Sequence, residues 1–287
     1  MANRQIYIRK ASGEKELFDI FKLKKSMQRS GADSKRIDLV AEEILDWISE
    51  DTTTKQIYTK AFALLKRDNR QSALRYKLKQ SLFELGPTGY PFEQLLGEIY
   101  KALGYQTEVG VIVNGRCVQH EMDLIATKEK TQILGECKYS KDQGKHVSVQ
   151  VPLYVHSRIE DIIKAREKEA KMKEFIFSGL IATNTRFTTD SIRYANCIGI
   201  NLISWDYPQG NSLKELLERE KIFPITILEN LTKKQKSEIL EKNIVTCKQL
   251  LDQQKLIEDL EMTNAKRKKL MIELEDIVNC EWVSCEW

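Results

Sequence analysis

Between Asp33 and Leu82 apolar residues return every third or fourth position, the spacing that gives a helix one buried stripe. Asp33-Ser34 predicts a helix start, followed by Ile37, Val40, Ile44, Leu45 and Ile48 on one face. A second helix is expected after Asp51-Thr52-Thr53-Thr54, with Ile57, Ala61, Leu64 and Leu65 turned inward, and a third through Leu74, Leu78 and Leu82. Ahead of them Ile6, Ile8 and Phe18 bracket a turn at Ala11-Ser12-Gly13 and read as a short strand pair. Gly86-Pro87-Thr88-Gly89 breaks the pattern and marks the expected domain boundary.

Helical spacing resumes from Pro91 to Tyr105, where Phe92, Leu95, Leu96, Ile99 and Leu103 share a face. The period then changes. His120 to Ala126 predicts a strand, Thr127 to Lys130 a turn centred near Lys128 and Glu129, and Thr131 to Lys138 the returning strand. Gln150 to Tyr154 opens a further helix, with Gln150 and Tyr154 one turn apart. From Ser212 onward the chain reads as helical and polar.

Side chains alternate along a strand, so Glu136 and Lys138 share a face, Cys137 points away, and the turn places Asp123 with Glu136. Two converging carboxylates form a hard oxygen site suited to Mg2+ or Mn2+ rather than zinc. A lysine two residues past the second acid suits orienting a water or neutralising a phosphoryl oxygen. A D…ExK pattern alone is more often a solvated strand face, and the surrounding elements tip the balance toward chemistry.

In that order of elements, residues from about Gly86 to Tyr207 resemble the Mrr-type branch of the restriction-endonuclease-like PD-(D/E)xK nuclease superfamily. The resemblance rests on Phe92-Glu93, the HEMD stretch ending at Asp123, the ECK stretch Glu136 to Lys138, and Gln150 with Tyr154. Phe175 to Ala182 and Ile198 to Ile203 are similar to the two late strands of that fold, joined by a helix around Thr189 to Cys197. The resemblance implies Asp123 and Glu136 as metal ligands, Lys138 as the catalytic lysine, Glu93 as an additional helix-borne acid and Gln150 as a supporting polar residue. His120 and Glu121 flank Asp123 and read equally well as half-exposed strand residues.

The first 86 residues resemble the ATP-cone, a small nucleotide-sensing domain, through Ile8-Arg9-Lys10, Gly13, Phe18-Asp19, Lys22-Leu23 and Thr54. Nucleotide contacts, to ATP or dATP, would fall on Arg9, Lys10, Lys22 and Thr54. By periodicity alone Lys22, Lys24, Lys25 and Arg29 are a solvated helix face. A Gly-x-x-x-x-Gly-Lys-Ser/Thr loop is absent, so nucleotide is expected to regulate rather than to be hydrolysed.

Leu240 to Leu251 looks like a helix-hairpin-helix or SAM-like module with Asn243 at the usual glycine; a helical protein-interaction domain fits the pattern equally. The expected fold is therefore multi-domain α/β, with an ATP-cone-like unit at 1–86, a nuclease-like core with a central mixed sheet at 87–211, a helical module at 212–279 and a tail at 280–287.

Residues 1–86 hold eighteen Lys and Arg against twelve Asp and Glu, while 213–279 hold thirteen of each. The net charge of +4 is mild, so a DNA-binding surface must be a local patch. Six cysteines without CxxC spacing read as reduced thiols. The apolar runs are too short to span a bilayer and no secretory signal opens the sequence, which makes cytoplasm the expected location. The reading is a Mg2+-dependent DNA endonuclease of restriction or repair, gated by ATP or dATP and dimeric if it cuts both strands. Its rival is a nucleotide-responsive DNA-binding regulator with an inactive nuclease fold.

Overall fold

The computed structural model describes residues 6–10, 13–28, 32–68 and 70–279; Ala11, Ser12 and the Cys280 to Trp287 tail lie outside them. The chain is mixed α/β and divides into two compact units, the first ending at Gln80 and the second beginning at Ser81.

In the first unit, β1 (Tyr7–Arg9) pairs antiparallel with β2 (Lys15–Leu17). Then come α1 (Ile20–Gln28), α2 (Ser34–Trp47), α3 (Thr54–Asp68) and α4 (Arg70–Phe83), whose last three residues already belong to the second unit. The Asp33 carboxylate caps α2 by accepting the Arg36 N–H. Ile37, Val40, Ile44 and Ile48 are buried as their spacing predicts, together with Ile57, Ala61, Leu64 and Leu65. Leu45 is exposed: the buried stripe is one residue narrower than expected, and Ala41 takes the inward place.

The second unit opens with α5 (Tyr90–Ala102), which ends sooner than the apolar spacing suggests because Gly104 turns the chain at φ +86°. The strands β3 (Gln106–Asn114), β4 (Gln119–Lys128) and β5 (Thr131–Lys138) follow as an antiparallel meander. After β6 (His146–Val147), α6 (Gln150–Arg166) crosses over to β7 (Ile176–Thr183), which lies parallel to β5. Past β8 (Arg186–Phe187), which pairs with β6, α7 (Thr189–Ile198) leads to β9 (Ile200–Ile203), parallel to β7. The result is a five-stranded mixed sheet in the order β3-β4-β5-β7-β9.

Ile125, Leu134 and Ile181 of the sheet pack with Val155, Ile159 and Ile162 of α6 and with Ala195 of α7. This covered face carries Glu136, whose neighbour in the β5–β7 register is Ile181. At Gly179 a Cβ would stand 2.8 Å from Ile159 Cδ1 and 3.1 Å from Ile200 Cγ1, so α6 can approach β7 only over a residue without a side chain.

The chain continues helically through α8 (Leu213–Arg219), α9 (Lys233–Glu241), α10 (Cys247–Leu251), α11 (Gln254–Asp259) and α12 (Asn264–Val278). Asn243 ends α9 at φ +61°, and its N–H donates to Leu240 O while Ile244 N–H donates to Ile239 O, closing a Schellman turn. The Val245 and Thr246 amides donate to Gln249 Oε1, so the α9–α10 turn satisfies its own backbone. Among the described residues no helix is long and apolar enough to cross a membrane.

Candidate active site

The β4–β5 ladder runs from Lys128↔Thr131 to Leu124↔Gly135, and one step further the same register sets Asp123 opposite Glu136. There a side chain replaces the ladder: Asp123 Oδ2 accepts the Cys137 N–H at 2.7 Å. The residues lie where β5 approaches its carboxyl end, the edge at which parallel strands of α/β sheets present ligands. Thr183 Oγ1 donates to Lys138 O at 2.6 Å, and Asn184 exchanges hydrogen bonds with the Ser140 backbone, fixing the strand as it leaves the sheet.

Glu136 is only 4% exposed, and each of its oxygens has a cation. Lys138 Nζ lies 2.6 Å from Oε1 and Arg158 Nη1 2.6 Å from Oε2. Arg158 also donates from Nη2 to the Glu121 carbonyl and stacks over the Tyr154 ring at 5.2 Å from its centroid. The Arg158 fork thus ties α6 to both strands of the hairpin.

Glu93, in the first turn of α5, brings a third acid. Burial and then the charges of Asp123, Glu121 and Glu136 push its carboxyl up to about 7, against the pull of Lys138. Asp123 is raised to about 6, first by burial and then by the Glu136 charge, with the Cys137 N–H, Lys138 and Arg158 acting the other way. Both available cations are committed to Glu136, so the Asp123 and Glu93 side of the site lacks positive charge.

Among the described residues no cage of three or more His, Cys, Asp or Glu forms. A hard cation such as Mg2+ keeps several waters and needs only one or two carboxylates from the protein. Asp123 and Glu136 are the two carboxylates that could serve it; a divalent cation would share the Glu136 oxygens with Lys138 and Arg158 and would neutralise the uncompensated charge of Asp123 and Glu93.

Asp123, Glu136 and Lys138 therefore come together, with Glu93 at their side. Gln150 stands apart: it is exposed at the start of α6, two turns and about 12 Å along the axis from Arg158. Tyr154 is exposed between them and serves as the platform for Arg158. His120 turns to α6, where its Nε2 lies 2.8 Å from Asp161 Oδ2; Asp161 also accepts the Cys117 N–H, so the pair ties the β3–β4 turn to the helix. Arg158 was not expected from sequence. Its only signal is its spacing, four residues beyond Tyr154 and eight beyond Gln150 on one helix face.

In the first unit, Arg9 pairs with Asp51 at 3.2 Å and Lys10 with Glu16 at 2.6 Å, while Lys22 pairs with the same Glu16. Lys10 and Lys22 hold the Glu16 carboxyl down to about 2. Thr54 is exposed in the first turn of α3, and the Arg9 N–H donates to Thr52 O just ahead of it. Arg9, Lys10 and the start of α3 are thus neighbours, and Glu16 links Lys22 to Lys10.

Residues 223–278 match the family model described as AF1548-like, C-terminal. An uncharacterized protein of Archaeoglobus fulgidus is 27% identical over 176 residues, covering 61% of this chain and 95% of that protein. The crystal structure of AF1548, a protein of unknown function, is matched with a TM-score of 0.54 at 26% identity, over 67% of this chain and 98% of that one. About a third of this chain therefore has no counterpart there. MspJI restriction endonuclease in complex with a 27-mer oligonucleotide is matched with a TM-score of 0.29 at 15% identity, over 46% of this chain and 29% of that one, too slight a likeness to support an argument.

Proposed function

We propose that this protein is a metal-dependent DNA endonuclease whose second unit hydrolyses phosphodiester bonds. One observation carries the reading: Asp123, Glu136 and Lys138 converge at one sheet edge, with both oxygens of the buried Glu136 held in place by cations. A like-charge cluster of Asp123, Glu136 and Glu93 costs stability, and a divalent cation on Asp123 and Glu136 gives that cost a use. When bound, Mg2+ or Mn2+ would supply charge neutralisation on the phosphate and a more acidic water.

The protein's own groups do the rest. Arg158 fixes the plane of Glu136 from the helix side. Lys138, partly exposed at 38% while paired with Glu136, is the cation of the two that a phosphoryl oxygen or the incoming water can reach. Glu93, held near 7, takes up or releases a proton close to neutrality.

The first unit is proposed to bind ATP or dATP through Arg9, Lys10, Lys22 and Thr54 and to gate cleavage. The support is the cluster of basic side chains beside the first turn of α3, where a triphosphate would compete with Glu16 and Asp51 for them. A dimer would let one site per chain cut both strands of a duplex.

The experiment is plasmid cleavage, methylated and unmethylated, with Mg2+, Mn2+ or EDTA and with no nucleotide, ATP or dATP. The expected result is metal-dependent cutting whose rate changes with nucleotide. Equal rates with and without saturating nucleotide, in protein shown to bind it, would remove the gating; no cutting under any condition would remove the nuclease.

A further inference from the structure

A cleft of about 560 Å³ lies between the Glu84 to Pro91 segment and α9. Pro87 and Leu240 contribute its apolar lining, and Tyr90, 41% exposed, stands at its wall. Lys141, Lys233 and Lys236 reach it from two sides. Lys236 Nζ is committed to the Thr226 carbonyl at 2.7 Å, whereas Lys141 and Lys233 are exposed and have no carboxylate partner among the described residues. Glu84 and Glu241 also line the cleft, so the two lysines make a local basic rim and not a broad field.

The cleft shares no lining residue with the candidate active site, but two residues connect them. Gly89 sits between the lining residues Thr88 and Tyr90, and a Cβ there would lie 3.4 Å from Glu93 Oε1 and 3.7 Å from Tyr139 Cβ. The Tyr139 hydroxyl donates at 2.9 Å to Phe83 O in the cleft wall, and Lys141 follows Lys138 by three residues. Gly89 and the Tyr139 hydroxyl thus join the cleft wall to the Glu93 end of the site.

We infer that the cleft receives an unpaired nucleotide of the nucleic-acid strand that runs through the candidate active site, an inference that rests on the nuclease reading. The volume falls in the range of about 300–1,000 Å³ that holds single small molecules and is too small for a duplex. Tyr90 and the apolar lining offer a base its stacking surface, and Lys141 with Lys233 meets the flanking phosphates. Stacking on an aromatic ring tolerates any base, so the selectivity expected is for unpaired over paired nucleotides.

The test is fluorescence anisotropy in EDTA, where nothing is cut, with a blunt duplex and the same duplex carrying a three-nucleotide single-stranded extension. The extension should tighten binding about tenfold. Lys141→Glu with Lys233→Glu should abolish that preference and lower the salt slope for the extended duplex by about 1.4. Ser237→Trp, which fills the cleft from α9, should abolish it while blunt-duplex affinity stays unchanged. Wild-type preference in both variants, or displacement of the extension by equimolar free ATP, would overturn the inference. Plasmid cleavage reports separately: cutting without any extension preference removes the cleft and keeps the nuclease, and preference in a protein that cuts nothing keeps the cleft and removes the nuclease.

Discussion

Replacing Glu93 by Gln isolates the electrostatic cost of the site. In the folded protein the Glu93 carboxyl titrates at about 7, against an ordinary value of 4.5. The folded state thus favours its protonated form. That contribution is fully present below about pH 4.5 and is lost as pH rises through about 7. At about 1.4 kcal/mol per pH unit the whole separation corresponds to about 3.4 kcal/mol. Glu93 is half-buried, and solvent screening reduces the expected effect to about 1–2 kcal/mol. Gln has nearly the same shape and cannot ionise, so Glu93→Gln should be more stable than the parent by that amount at pH 8 and equal to it near pH 4. Urea unfolding followed by hydrogen exchange in peptides spanning Gln119–Lys138 reads the second unit directly. A variant equal to or weaker than the parent at pH 8, or stabilised equally at both pH values, would refute the argument that like charge and burial crowd this carboxyl.

Three further outcomes follow from the same geometry. Mn2+ should raise the unfolding midpoint more at pH 8 than at pH 5, because Asp123 and Glu93 are protonated at the lower pH; calorimetric scans with and without the ion check it. Arg158→Met should cost about 3 kcal/mol in urea unfolding by leaving one oxygen of the buried Glu136 without a cation, and Arg158→Lys should not restore it, because an ammonium cannot span Glu136 and the Glu121 carbonyl. Asn243→Val should destabilise the second unit by about 1–2 kcal/mol, since a β-branched residue resists φ +61°, while Asn243→Gly should stay within about 0.5 kcal/mol of the parent; thermal melts separate the two.

The hairpin was legible because side-chain period 2 protects it against small errors. The expected turn centre lay near Lys128 and Glu129, whereas Lys128 pairs with Thr131 and the turn residues are Glu129 and Lys130. Moving the centre by one residue changes each opposite partner by two, which leaves Asp123 and Glu136 on the same face. The late strands and α7 were expected only through the family resemblance; locally, Thr188 caps α7 and Gly199 ends it at φ +75°. β3 was not read, although Thr107, Val109, Val111 and Val113 alternate with exposed residues; Gly110, at φ +64°, interrupts the run at its centre. β6 and β8 are two residues each and leave no period to detect. Arg158 illustrates a deeper limit: an arginine on a helix reads as solvated, and only the arrival of α6 on the Glu136 face turns it into the partner of a buried acid.

On the proposed reading, the converged acids and lysine cut phosphodiesters. Single-turnover cleavage of a labelled DNA duplex in Mn2+, comparing the parent with Lys138→Ala, tests it most directly, with circular dichroism and DNA affinity in EDTA confirming that the variant is folded and still binds. Cutting by the parent is expected, with a loss of at least about a hundredfold in Lys138→Ala and DNA affinity retained. Equal cleavage by both proteins, or none by a parent that binds DNA, would contradict it.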